Sequence, residues 1–437
     1  MKRIFFVIIS VLTVLNAGIV VSAQDDGETF PQVPGRIAYV GADLNIHSLD
    51  LINGKRMMLT EDAEIRARSA RFYQWPTWST DGRLAYFRST LTAPGMSGNL
   101  SINLDAFISV DGIEVGGRAY SGSGETFTYA YWSPGNCASG GNCRDLAVLL
   151  SGAEGLFVEM IRDSFEGASS RLIGQGAPFY YSWSPDGLQM LWQRFGQRID
   201  IYDVASGDVV ETISQAPGFF QAPDWSPVDN RLLFGSLGQD GASTDLVIVE
   251  SEEVQTIVPG LDGLVYFAWA PDSNAIAYTN SAGPLTIVDA KTGDIIAHSP
   301  VSGVLAFFWA PDSQKIAYIT RVSSGESLSV NAGTSGVLAA YQQQDSPLSL
   351  AWSVIDISSG ENHRYEGFVP TRDMIYLLTY FDQFAQSHRV WSPDSTHLIY
   401  SEQFESAFPA IQILDIREKN STPVTIAEGL IGIWSFE

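Results

Sequence analysis

Few residues in this 437-residue chain are placed as catalysis or metal binding would require. There are five histidines, His47, His298, His363, His388 and His397. They fall in or near separate repeats, and none has a second His or a Cys at the short spacing of a zinc site. No Gly-x-Ser-x-Gly elbow, His-Glu-x-x-His helix, Gly-x-x-x-x-Gly-Lys phosphate loop or twelve-residue calcium loop occurs. The 49 acidic residues are too many to single out a glycosidase pair, whose spacing is spatial. The expectation is therefore no catalytic residue, no metal ligand and no cofactor, with bound Ca²⁺ left open as an alternative although no loop spells its site.

Two other groups could do something specific. Cys137 and Cys143 are the only cysteines, in Cys-Ala-Ser-Gly-Gly-Asn-Cys. Without further ligands nearby, a close pair in an exported chain reads as a disulfide closing a small loop. The stretch from Thr371 to Phe384 carries Tyr376, Tyr380, Phe381 and Phe384 and can start a short helix at Thr371 or Asp373. Such aromatics could form a lip that binds a peptide, glycan or protein. They could equally be buried against the body of the protein.

Repeats define the elements that must carry these residues. One motif recurs as Trp78-Ser-Thr-Asp-Gly, Trp132-Ser-Pro-Gly, Trp183-Ser-Pro-Asp-Gly, Trp225-Ser-Pro-Val-Asp, Trp269-Ala-Pro-Asp-Ser, Trp309-Ala-Pro-Asp-Ser and Trp391-Ser-Pro-Asp-Ser, with a truncated Trp434-Ser at the end. Successive tryptophans are 54, 51, 42, 44, 40, 82 and 43 residues apart. A short apolar run precedes each Trp, and a second such as Ala275–Tyr278 follows the motif. A third, such as Leu285–Asp289, ends in Asp and a turn, and a fourth follows it. Ser-Pro-Asp-Gly suits a type I turn with Pro at its second position and Gly at its fourth. Four short antiparallel strands per repeat make a β-propeller blade, with the Trp filling the wedge between blades.

The Trp-Ser/Ala-Pro-Asp repeats resemble those of the TolB-like family, also called WD40-like or PD40 repeats. The resemblance covers nearly the whole chain after residue 36 and implies an all-β propeller. It implies little about function, because the motif residues are structural. TolB carries an additional α/β domain ahead of its propeller, whereas here the repeats start at about residue 36.

Residues 36–60 supply three strands of a blade with no Trp motif before them, and 431–436 supply a lone first strand. Pairing the chain ends would close the ring. The count is then a single propeller of eight four-stranded blades, with seven or nine as alternatives. The nine-blade alternative counts Trp352 as a motif. Val354-Ile-Asp-Ile-Ser-Ser-Gly-Glu after it instead matches a third-to-fourth-strand turn, which makes 309–391 one blade with insertions at 321–347 and 367–387. Segments 61–74, 89–99 and 118–128 read as further long loops on the same face of the disc, opposite the Trp-Ser-Pro-Asp turns.

Lys2 and Arg3, the apolar run Ile4–Val21 and the small residues of Val21-Ser-Ala23 read as a signal peptide over 1–23. A polar lead-in follows over 24–35, and the propeller occupies 36–437. Cleavage would remove two of 25 basic residues, taking the net charge from −24 to −26. That sign excludes sequence-independent nucleic-acid binding, and no second apolar run could span a membrane. The expectation is an exported monomer, periplasmic or extracellular, that holds a protein, peptide or glycan without catalysis. The competing expectation is a polysaccharide lyase or hydrolase with a carboxylate or metal site at the channel mouth.

Overall fold

A computed structural model describes residues 30–93, 100–138, 140–196, 198–218, 221–251, 253–280, 283–322 and 348–437. The expected signal peptide over 1–23, most of the expected lead-in 24–35 and most of the expected insertion 321–347 lie outside the described residues.

The Trp269 blade shows how the repeat folds. Strands Val265–Trp269, Ala275–Asn280, Thr286–Asp289 and Ile295–His298 pair antiparallel in chain order. The inner strands are built from Val, Ile, Ala and aromatic residues and are buried on both faces, because a neighbouring blade covers each side. The outermost strand leaves Ile295 and Ile296 exposed.

The motif does two jobs. In the turn, the residue after Asp donates its N–H to the Ser or Ala carbonyl three positions back, as from Gly187 to Ser184 and from Ser313 to Ala310. That residue is left-handed, with φ of 86° at Gly82 and 73° at Gly187, which glycine adopts without a steric cost. Ser273, Ser313 and Ser395 hold the same conformation at 58–59°. Their hydroxyls reach the adjacent blade's turn, Ser313 Oγ accepting from Asp272 N–H at 3.1 Å and Ser395 Oγ from Asp312 N–H at 3.1 Å.

The tryptophans link blade to blade. The indole N–H of Trp132 donates to the Thr77 carbonyl, Trp183 to Tyr131, Trp269 to Asp224, Trp309 to Ala268 and Trp391 to Phe308. Each acceptor is the residue just before the preceding blade's own Trp. A large apolar ring fills the wedge while its single polar atom satisfies an inner-strand carbonyl. The indole nitrogens of Trp78, Trp225 and Trp434 are buried without a partner.

The strand pattern corrects two sequence expectations. Eight separate four-stranded blades were expected, and the propeller has seven sheets. The last strand, Val424–Trp434, is eleven residues long. Its first half pairs with Ala410–Asp415 and its second half with Arg36–Gly41. The Trp391 segment and the N-terminal strands therefore form one six-stranded sheet. Elsewhere a turn or irregular loop separates an outer strand from the next inner one. Here Ala427-Glu-Gly-Leu430 stays extended, and the register shift at Val40/Gly41 absorbs the change of direction. Trp352 sits in Leu350–Asp356, the third strand of the Trp309 blade.

The second correction concerns the Trp78 blade. Segments 61–74, 89–99 and 118–128 were read as loops, yet most of their described residues lengthen strands. Ser69–Trp78, Leu84–Thr92 and Ser101–Ser109 run nine or ten residues, and Glu64–Arg66 adds a fifth strand. Alternating Thr, Ser and aliphatic residues suit a two-faced strand as well as a loop, and pairing over the full length satisfies the backbone.

Candidate functional site

The inner strands of a propeller diverge around an axis, and something must fill or line the space they leave. The insertion at 367–387 supplies it. Thr371 caps a helix, α1 (Arg372–Thr379), accepting from Met374 N–H at 3.2 Å. Its own hydroxyl donates to the Leu430 carbonyl at 2.7 Å. A second helix, α2 (Phe381–Ser387), follows directly.

The pair is tied to the inner strands of several blades. Tyr376 donates its hydroxyl hydrogen to Thr128 O at 3.1 Å and Tyr129 to Gln383 O at 2.9 Å. The Gln383 amide donates to Tyr181 O at 3.0 Å, and Asp382 Oδ2 accepts from Ala222 N–H at 3.1 Å. Phe381 packs among Tyr266, Phe307 and Phe308, with ring centroids 5.0–6.1 Å apart. Phe384 packs against Trp75, Tyr129 and His388. Trp75 has φ of 49° beside a register shift in its strand, and its ring also meets Tyr376 at 5.3 Å.

The four aromatics singled out from the sequence thus belong to one plug and divide within it. Phe381 and Phe384 are each 1% exposed, Tyr376 is half-buried, and Tyr380 is exposed at 38%. In the second-to-third-strand loop of the Trp391 blade, Phe404 and Phe408 also reach solvent. Their loop starts against the insertion, with Gln403 N–H donating to Val369 O.

The plug also buries ionisable groups that sequence reasoning passed over. Burial depresses His388 to a pKa of about 3, so it is neutral, with Nδ1 2.7 Å from Ser387 Oγ and Nε2 3.2 Å from Thr77 Oγ1. Burial raises Asp382 to about 6. Asp224 rises to about 7, through burial first and the Asp382 charge after it. Asp224 Oδ2 accepts from Trp269 N–H at 3.0 Å, and Asp382 Oδ1 has no partner. Burial lowers Arg389 to about 10, and its guanidinium stacks on Phe436 at 4.2 Å. The one sequence signal for this cluster was position: three of these groups flank the aromatics of a single insertion, and Asp224 immediately precedes a motif Trp.

The other histidines do not converge. His47 pairs with Asp43 at 3.0 Å, His397 lies 3.6 Å from Asp415, His298 meets Ser299 O, and His363 meets Lys419 O. Among the described residues, no three His, Cys, Asp or Glu are grouped as a metal site would need. Cys137 and Cys143 are joined in a disulfide. No described helix is long and apolar enough to cross a membrane.

No family model and no curated sequence matches the chain. Among solved structures it is similar to TolB from Acinetobacter baumannii, at 14% identity over 79% of this chain and 82% of that one, with a TM-score of 0.38. It is similar to the β-propeller domain of Myceliophteria thermophila Cps50 (Swd1), at 11% identity over 65% and 83%, with a TM-score of 0.40. A eukaryotic initiation factor structure matches at 11% identity over 92% and 98%, with a TM-score of 0.49. Likenesses this distant carry no argument about ligand or partner.

Proposed function

We propose that this chain is an exported, TolB-like propeller that serves as a non-catalytic binding or scaffold protein and holds a protein or peptide on its long-loop face. The observation that carries the reading is the plug. Phe381 and Phe384 occupy the axial position where a propeller would otherwise admit a ligand. Tyr380 of the plug stays exposed, as do Phe404 and Phe408 on a loop that starts against the insertion. Aromatic side chains that reach solvent beside a rigid scaffold suit the anchor role in partner recognition. Export is supported by the N-terminal signal pattern and the disulfide, which persists in oxidising compartments.

The test is capture of partners from envelope extract by the parent and by a Tyr380→Ser, Phe404→Ser, Phe408→Ser variant with an unchanged melting profile. Loss of a specifically retained partner in the variant supports the reading. Equal retention by both would place the binding surface elsewhere, and no specific retention by the parent would count against a protein adaptor.

A further inference from the structure

A second feature lies away from the plug, in the wedge between the outer parts of the Trp309 and Trp391 blades. A cleft of about 80 Å³ opens there, lined by Trp352, Tyr365, Phe368, Tyr400, Glu366 and Glu402 among others. The four aromatics are themselves at least nine-tenths buried, so the walls are fixed by packing. Phe368 and Tyr400 rings lie 4.5 Å apart, and Trp352 stacks on Phe368 at 6.5 Å with planes 10° apart. Opposite Trp352 the outer strand Asn362–Phe368 shifts register, with Gly367 facing Ala351 and Arg364 facing Ser353. Two residues, Tyr365 and Glu366, therefore oppose one, and the shift brings Tyr365, Glu366 and Phe368 all to the cleft.

The charges are one-sided. Glu402 is partly buried, its side chain accepting one hydrogen bond among the described residues, from the Gln412 amide at 3.4 Å, and burial raises its pKa. The Glu402 and Glu366 charges also act on the Tyr400 hydroxyl, which burial already pushes up. Among the described residues, neither carboxylate has a cation within 4.0 Å. The cations nearby are already engaged. Lys419 pairs with Glu361, Arg417 pairs with Asp415 at 2.7 Å, and Arg364 donates to the Arg321 carbonyl at 3.2 Å. A partly desolvated carboxylate without a counter-ion, beside aromatic rings, is costly alone and favourable with a cation present. The volume is too small for an extended ligand and suits a single head group. The protein's overall negative charge would raise the local concentration of cations.

We infer that this cleft binds an organic cation, an ammonium or guanidinium head group, held against the packed aromatic wall of Phe368, Tyr400 and Trp352 by the carboxylates of Glu366 and Glu402. The cation could belong to a free small molecule or to a Lys or Arg side chain. The chemistry is the same and the probes separate the sources. The site is distinct from the long-loop face, so the inference does not depend on the reading proposed above.

Calorimetric titration of the exported protein would use tetramethylammonium, N-acetyl-lysine amide, N-acetyl-arginine amide and a Gly-Arg-Gly peptide, with neutral N-acetyl-norleucine amide as control. At least one cationic probe should bind and the control should not. Glu402→Gln should weaken binding about tenfold, and the Glu366→Gln, Glu402→Gln pair should abolish measurable binding, each with the parent's melting temperature. Tighter binding of the peptide than of tetramethylammonium assigns the site to a side chain, and the reverse assigns it to a small molecule. The inference is overturned if no cation binds at up to about 10 mM, if the control binds equally, or if the double variant keeps the parent's affinity. The Tyr380→Ser, Phe404→Ser, Phe408→Ser protein leaves the cleft intact. Failure of partner capture and failure of cation binding are therefore separate results.

Discussion

The Trp269 blade and the stretch from Trp309 to Trp391 are built on the same repeat and put it to different use. The first needs 40 residues and uses its apolar side chains within its own sheet and against its two neighbours. The second has 82 residues between tryptophans. The same four strands, the same turn and the same indole-to-carbonyl link are present in it. Of that surplus, the described segment 367–387 fills the axis of the ring, which the regular blade leaves empty. The scaffold tolerates this addition because it leaves from the connection between one blade's last strand and the next blade's first.

The largest expected effect breaks the comparison at its centre. Phe384→Ala should cost about 3–5 kcal/mol, as for a large aromatic removed from a closed core. Denaturant unfolding would check this, and Val210→Ala on an exposed outer strand should cost less than about 0.5 kcal/mol. A plug that merely rested on the disc would show little difference between the two, which would remove the case for it as core.

A pH series sharpens the same contrast. The native pKa values of Asp382 and Asp224, about 6 and about 7, lie above the usual carboxylate value. The native state holds those protons more tightly than the unfolded chain. Their contribution is present below about pH 4 and is lost as pH rises through 6 to 7. His388, at about 3, has the opposite sign. Its contribution is present above about pH 6.5 and is lost as pH falls toward 3. The parent therefore sums opposing slopes. With both aspartates changed to Asn, the decline from pH 4 to 7 should shrink to the part left by Asp373, which burial also raises to about 6. Urea midpoints at pH 5 and 7.5 would decide, and an unchanged pH profile would show that these aspartates ionise freely.

A smaller effect concerns the tryptophan links. Trp391→Phe removes a hydrogen bond to the Phe308 carbonyl, whereas Trp225→Phe removes an indole nitrogen that had no partner. Both lose packing, but the first should cost about 0.5–1.5 kcal/mol more. Equal losses would mean that the links merely accompany the packing. The smallest effect is expected at Ser313→Gly. Relief of a left-handed serine, about 1–2 kcal/mol, is set against the lost Asp272–Ser313 bond, about 0.5–1.5 kcal/mol. The net should lie within about 1 kcal/mol of zero by thermal melting.

The spacing of the tryptophans, the turn residues after them and the apolar runs between them determined the all-β propeller and the third-strand placement of Trp352, because each is a local pattern with a local physical cause. The helix start at Thr371 was legible for the same reason, as a capping residue ahead of apolar ones. The pairing of the chain ends was legible as well, Arg36–Gly41 lying beside Gly429–Trp434, but the blade count was not. Whether Ala427–Leu430 turns or runs on depends on which strand lies beside it, and that strand comes from the other end of the chain. The division of the insertion's aromatics was also beyond the sequence. Phe381 and Phe384 differ from Tyr380 only in which direction meets a ring of inner strands. The burial of Asp224, Asp382 and His388, and the meeting of Glu366, Glu402 and four aromatics in one wedge, join residues from separate blades. Only the closed ring brings them within contact, since electrostatics and packing act through space, whereas the sequence orders residues along the chain.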